Sequence, residues 1–136
     1  MNALVAIALY DKHERDRIVA EEMEKEKYIR EIREIGLYPI LTDVCSVFGY
    51  DILKVKSKRR AAGLVLCKRL YCYLSCLKTK FSLSEIANEV GFDDHTTVIY
   101  HRDVVKKLTT EQDPEFIANW RYYLHNSKLF TEIDFQ

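Results

Sequence analysis

The sequence predicts an all-α protein, a helical bundle carrying a helix-turn-helix and preceded by a charged N-terminal helix. Three observations predict it. Glycine and proline are scarce, 4 and 2 in 136 residues, too few for the many tight turns of a β fold. Apolar residues recur at three- and four-residue spacing instead of alternating. A capping-box pattern, Ser82-x-x-Glu85, opens an apolar segment that Gly91 closes. With 48% hydrophobic residues, a chain of this length buries one core.

The first apolar run, ALVAIALY over residues 3–10, is cut short by Asp11 and Lys12. It is too short to span a bilayer and lacks a preceding basic region, so neither a membrane segment nor secretion is expected. Residues 11–34 mix both charge signs around a thin stripe of Ile18, Met23, Tyr28 and Ile32 continued by Ile35. They read as one charged helix, either solvated and packed on the main domain or offering a homodimer or protein-partner surface.

Gly36 and Pro39 supply a break, after which Ile40, Leu41, Val44, Val47 and Phe48 follow helical spacing up to Gly49. Ile52, Leu53 and Val55 lack clear periodicity and read as a loop or short turn. The next helix is expected to start near Leu66, with Leu70, Tyr73, Leu74 and Leu77 on its apolar face. Lys68 and Arg69 would then stand in its first turn, where cations are disfavoured unless an anion such as phosphate docks there.

Ser82 and Glu85 begin a helix that carries Leu83, Ile86 and Val90 inward and stops at Gly91. Asp93 or Asp94 then caps a helix with Val98, Val105 and Leu108 on one face. Two helices joined by a Gly-containing turn make a helix-turn-helix. His95, Thr96 and Thr97 fall in the first turn of the second helix, the part that meets base edges when such a helix enters a major groove.

The formal net charge of zero conceals segregation. From Lys54 to Lys80 the charged residues are Lys54, Lys56, Lys58, Arg59, Arg60, Lys68, Arg69, Lys78 and Lys80, without one Asp or Glu. Such a footprint suits phosphate. Cys45, Cys67, Cys72 and Cys76 contain no C-x-x-C pair and read as buried thiols in a reducing compartment.

The stretch GFDDHTTVIYHRDVV, residues 91–105, holds types that serve as general bases, metal ligands or hydrogen-bonding groups. A hydrolase using Asp94, His95 and His101 is one reading. Against it, Asp94 and His95 are adjacent, and His95 and His101 fall on different helix faces. His101 reads as a satisfied core histidine.

The run SKRRAAGLVLCKRLYCYLSCLKTKFSLSEIANEVGFDDHTTV, starting at Ser57, resembles the C-terminal DNA-binding domain family of the bacterial replication initiator DnaA. The resemblance rests on a basic S-x-x-R at Ser57–Arg60, on SLSEIA from Ser82, and on Asp94, His95, Thr96, Thr97 and Val98. Phe92 and Asp93 replace a Gly and an Arg of the signature, Arg69 stands for a usual Gln, and His101 for a small Ala. The resemblance implies a Trp-repressor-like helical fold over residues 39–124; it does not cover residues 1–38, which read as a helical extension, and residues 125–136 are expected to form a tail.

It also implies binding of double-stranded DNA at a DnaA-box-like site. Arg60 would enter the minor groove, and Asp94, His95 and Thr96 would read bases. Lys58 and Arg59 belong to the basic segment beside Arg60, and Lys68, Arg69, Leu83, Ser84 and Thr97 would lie at or near the DNA backbone. None of the glycines belongs to a G-x-x-x-x-G-K-[ST] loop, so no nucleotide and no other cofactor is expected. The expected role is that of a stand-alone replication accessory factor or transcription regulator, cytoplasmic and nucleoid-associated in a bacterial or phage setting. The alternative is an adaptor whose domain no longer binds DNA.

Overall fold

The computed structural model describes residues 35–135, and all regular elements among them are helical. They are α1 (Leu37–Phe48), α2 (Ile52–Lys56), α3 (Ala62–Lys78), α4 (Leu83–Val90), α5 (His95–Thr110) and α6 (Pro114–Asn126), followed by a 3-10 turn at Glu132–Phe135. The helix expected over residues 11–34, and any dimer or partner surface on it, lies outside the described residues.

α3 is the axis of the bundle, packed against α1, α2, α4 and α5, while α6 joins α1 and α5. An expectation of one apolar face on α3 therefore captures only part of its burial. Leu70 and Leu74 are buried, but so are Leu64, Cys67, Tyr71, Cys72 and Ser75 around the helix, because neighbours cover several sides. Leu77, expected inside, is 52% exposed in the last turn beside Arg102 and Lys106. The Tyr71 hydroxyl donates to the Ile86 carbonyl at 2.8 Å and ties α3 to α4.

Three helix boundaries differ from the sequence expectation. α1 begins at Leu37, so Pro39 lies inside its first turn, where a missing N–H costs nothing. Residues 52–56 form a one-turn helix because the Asp51 carboxylate accepts from the Leu53 N–H at 2.9 Å and Val55 is fully buried. α3 starts at Ala62, a turn before Leu66, with the Tyr50 hydroxyl resting where a side chain at Gly63 would stand. Lys68 and Arg69 consequently fall in the second turn of α3, and the free N–H groups at its start are not theirs to share.

Ile86 and Val90 of α4 and Val98 and Val105 of α5 are buried against the core. Each such burial is worth roughly 1.5–3 kcal/mol, more than the ~1 kcal/mol of a helix cap. Packing therefore positions the helices and caps fix where they end. At the other side of the bundle, Asp43 of α1 holds the segment after α6. Its Oδ2 accepts from the Tyr123 and Ser127 hydroxyls at 2.6 Å each, and its Oδ1 from the Lys128 N–H at 3.0 Å. Phe130 is buried in consequence, and Trp120 stacks on Phe116 and Tyr123 and meets Phe135 edge-on.

Candidate nucleic-acid interface

The helix-turn-helix is built from local hydrogen bonds. Ser82 Oγ accepts from the Glu85 N–H, and Glu85 Oε1 from the Ser82 N–H, both at 3.1 Å, which is the complete capping box. α4 ends at Gly91 with φ +84°, a left-handed conformation that side chains disfavour. Glycine is required there a second time, since a Cβ would sit 2.8 Å from the Lys56 carbonyl oxygen. α5 is capped by Asp94, whose Oδ1 accepts from the Thr96 N–H at 3.1 Å and lies 3.1 Å from His95 Nδ1. The Thr96 bonds, with His95 adding a smaller effect, hold the Asp94 carboxyl below its ordinary range. Asp93 is not a cap. It pairs with Lys58 at 3.0 Å.

The basic segment between α2 and α3 lies directly against this turn. The Lys56 carbonyl abuts Gly91, the Lys56 ammonium meets Glu89 at 3.3 Å, and the Lys58 ammonium meets Asp93. Lys68 fixes the segment from below, donating to the carbonyls of Ser57 at 2.7 Å and Arg59 at 3.0 Å. Its side chain is buried, and burial, with Arg60 nearby, lowers its pKa. Lys68 therefore holds the segment in place, with most of its side chain covered. Lys78 is likewise engaged, donating to the Asp134 carbonyl at the far end of α3.

Between the segment and α5 lies a cleft of about 670 Å³, lined by Lys58, Arg59, Arg60, Lys68 and Arg69 on one side and by Asp94, Thr97, Tyr100 and His101 on the other. Lys58, Arg59 and Arg60 are exposed, as are His95 and Thr96 at the start of α5. Thr97 and Arg69 are half-buried. Leu83, half-buried, and Ser84, exposed, begin α4. The sequence reading missed Tyr100, which is 59% exposed. Its position three and four residues after Thr97 and Thr96 puts it on their helix face, a signal that was legible.

His101 departs from the expected satisfied histidine. It is buried with Nδ1 unpartnered, stacked on Phe92 at a centroid distance of 5.4 Å. Burial first, then the charges of Arg69 and Lys68, pull its pKa down to about 4, so the ring is neutral at pH 7. Cys45, Cys67 and Cys72 are buried and Cys76 half-buried. Among the described residues no three His, Cys, Asp or Glu side chains group to hold a metal ion, and no helix is long and apolar enough to cross a membrane.

The model of one protein family, the bacterial dnaA protein helix-turn-helix, matches residues 37–105, which is the span from the first residue of α1 to Val105 of α5. The chain belongs to this family. The DnaA-type match takes in both walls of the cleft, the basic segment and the start of α5. The chain is 31% identical over 97 residues to the chromosomal replication initiator protein DnaA of Lactiplantibacillus plantarum, covering 71% of this chain and 21% of that protein. It is 31% identical over 81 residues to DnaA of Lacticaseibacillus casei, covering 59% of this chain and 18% of the relative. The chain thus spans about a fifth of the length of these DnaA relatives. No solved structure matches it. Phe92 and His101, both read from the resemblance as larger than the residues usual there, are stacked on each other.

Proposed function

We propose that this domain binds double-stranded DNA sequence-specifically at a DnaA-box-like site. The observation that carries the reading is the cleft that the exposed Arg60 segment shares with Thr97 of α5, with His95 and Thr96 exposed in the same first turn outside its lining. Asp94 caps α5 through Oδ1 and remains exposed, so Asp94, His95 and Thr96 together meet base edges in the major groove. Arg60 reaches for the minor groove, and Arg59, with Lys58 and Arg69 beside it, meets the phosphates. Leu83, Ser84 and Thr97 lie along the adjoining backbone. Binding needs no nucleotide and no metal, and involves no chemistry on the DNA. A replication accessory factor or a transcription regulator at the nucleoid both use this activity.

A gel-shift series tests the reading with three probes: a DnaA-box duplex, a scrambled duplex and single-stranded DNA. The box duplex is expected to bind about 10³-fold or more tighter than the scrambled one. Equal retardation of duplex and single strand would reject groove reading. Failure of all three probes would favour an adaptor that no longer binds DNA.

A further inference from the structure

Two acids line the cleft, Asp93 and Asp94, and only Asp94 has a helix to cap. The Asp93 carboxylate instead reaches across the mouth to the Lys58 ammonium, 35 residues away in sequence, at 3.0 Å. Both side chains are more than four-fifths exposed, so the pair is accessible to a polyanion. An exposed pair of this kind contributes little to stability and opens readily.

We propose that Asp93 is an internal competitor for the phosphate that Lys58 would otherwise bind, setting the affinity of this surface for any duplex. The proposal rests on the DNA-binding reading above. A phosphate approaching Lys58 must displace a carboxylate already seated on it, and the displaced carboxylate stays beside the DNA backbone as a like charge. Such a contact releases fewer counterions than one made by an unpaired lysine. The effect falls on phosphate contacts, which are common to all sequences, and not on the base contacts made from His95 and Thr96. Scrambled sites, held by phosphates alone, are then released at salt concentrations where a base-read site still holds.

Fluorescence anisotropy on the full chain decides it, with a DnaA-box duplex and a scrambled duplex at salt concentrations from about 50 to 200 mM. Four proteins are compared: wild type, Asp93→Asn, Lys58→Ala and the double variant. Asp93→Asn is expected to tighten both duplexes by a common factor of roughly three to ten, and to steepen the slope of log K against log salt by about 0.9. With Lys58 replaced by Ala, the same change at 93 should leave the slope unaltered and give a smaller gain. An unchanged slope in Asp93→Asn, or an equal gain with and without Lys58, overturns the proposal while leaving DNA binding intact. A loss confined to one base position would also overturn it, by making Asp93 a base reader. Wild-type protein that binds neither duplex overturns the proposal and the DNA-binding reading together.

Discussion

Lys68 donates its ammonium to the Arg59 carbonyl at 3.0 Å from a side chain only 6% exposed. The neighbouring bond to Ser57 makes this lysine a strut beneath the segment that carries Arg60. Lys68→Met should therefore cost about 1–3 kcal/mol of stability, the usual scale for losing hydrogen bonds to a charged donor. It should also weaken binding to the best site by misplacing Arg60, with the salt slope nearly unchanged. Arg59→Ala should instead lower the slope by about one with little effect on stability. Urea unfolding and salt-dependent anisotropy separate the two. If Lys68→Met lowered the slope by a full phosphate at unchanged stability, Lys68 would be reaching the DNA.

His101 makes stability depend on mildly acid pH. Its folded pKa, about 4, lies below the ordinary value of 6.5, because burial and the Arg69 and Lys68 charges disfavour the imidazolium. The associated stability is fully present above pH 6.5. As pH falls from there toward 4, the unfolded chain takes up a proton that the folded chain refuses, and about 1–3 kcal/mol is lost. His101→Leu removes this component, so its stability should decline less across the same window. Parallel pH profiles of urea midpoints for the two proteins would show no difference if the ring titrated normally.

Gly91→Ala should destabilise the domain by about 1–3 kcal/mol, since the residue has φ +84° and its new Cβ would press on the Lys56 carbonyl at 2.8 Å. The same strain pushes the basic segment away from the turn, so DNA affinity should fall even where the protein remains folded. Thermal unfolding together with anisotropy at low temperature checks both effects. An unchanged melting temperature would mean that the turn relaxes freely.

Arg60→Ala and Thr96→Ala should each cost roughly 1–3 kcal/mol on the best site and differ in which bases they affect. Arg60 should tune preference for A·T pairs, which narrow the minor groove. Thr96, exposed in the first turn of α5, should relax discrimination at one or two positions. Binding to a panel of single-base variants measures this directly. A uniform loss across the panel for Thr96→Ala would mean that α5 does not read sequence.

The elements that the sequence alone determined are those whose cause lies within a few residues. The Ser82–Glu85 capping box, the stop at Gly91 and the Asp94 cap are hydrogen-bond and dihedral requirements spanning one turn of chain; the first two were legible in full, and the cap was narrowed to Asp93 or Asp94. The all-helical class and the inward positions Ile86, Val90, Val98 and Val105 followed from periodicity for the same reason. The exposed start of α5 and the basic character of the segment around Arg60 were legible too, because charge and composition are local properties.

Tertiary structure decided which of those charges reach the surface, because that depends on contacts between distant parts of the chain. Lys68 reads as one more cation in a basic run, yet the early start of α3 and the close approach of the Ser57–Arg59 backbone turn it into a buried donor. Asp93 reads as a cap, yet the packing of α2 against the turn brings Lys58 to it across 35 residues. The Phe92–His101 stack likewise arises only when α5 folds back under the turn, and its burial, not the identity of the residue, sets the proton affinity of the ring. A hydrogen bond to a neighbour in sequence is encoded by spacing, whereas one to a neighbour in space exists only after the hydrophobic core has brought the helices together.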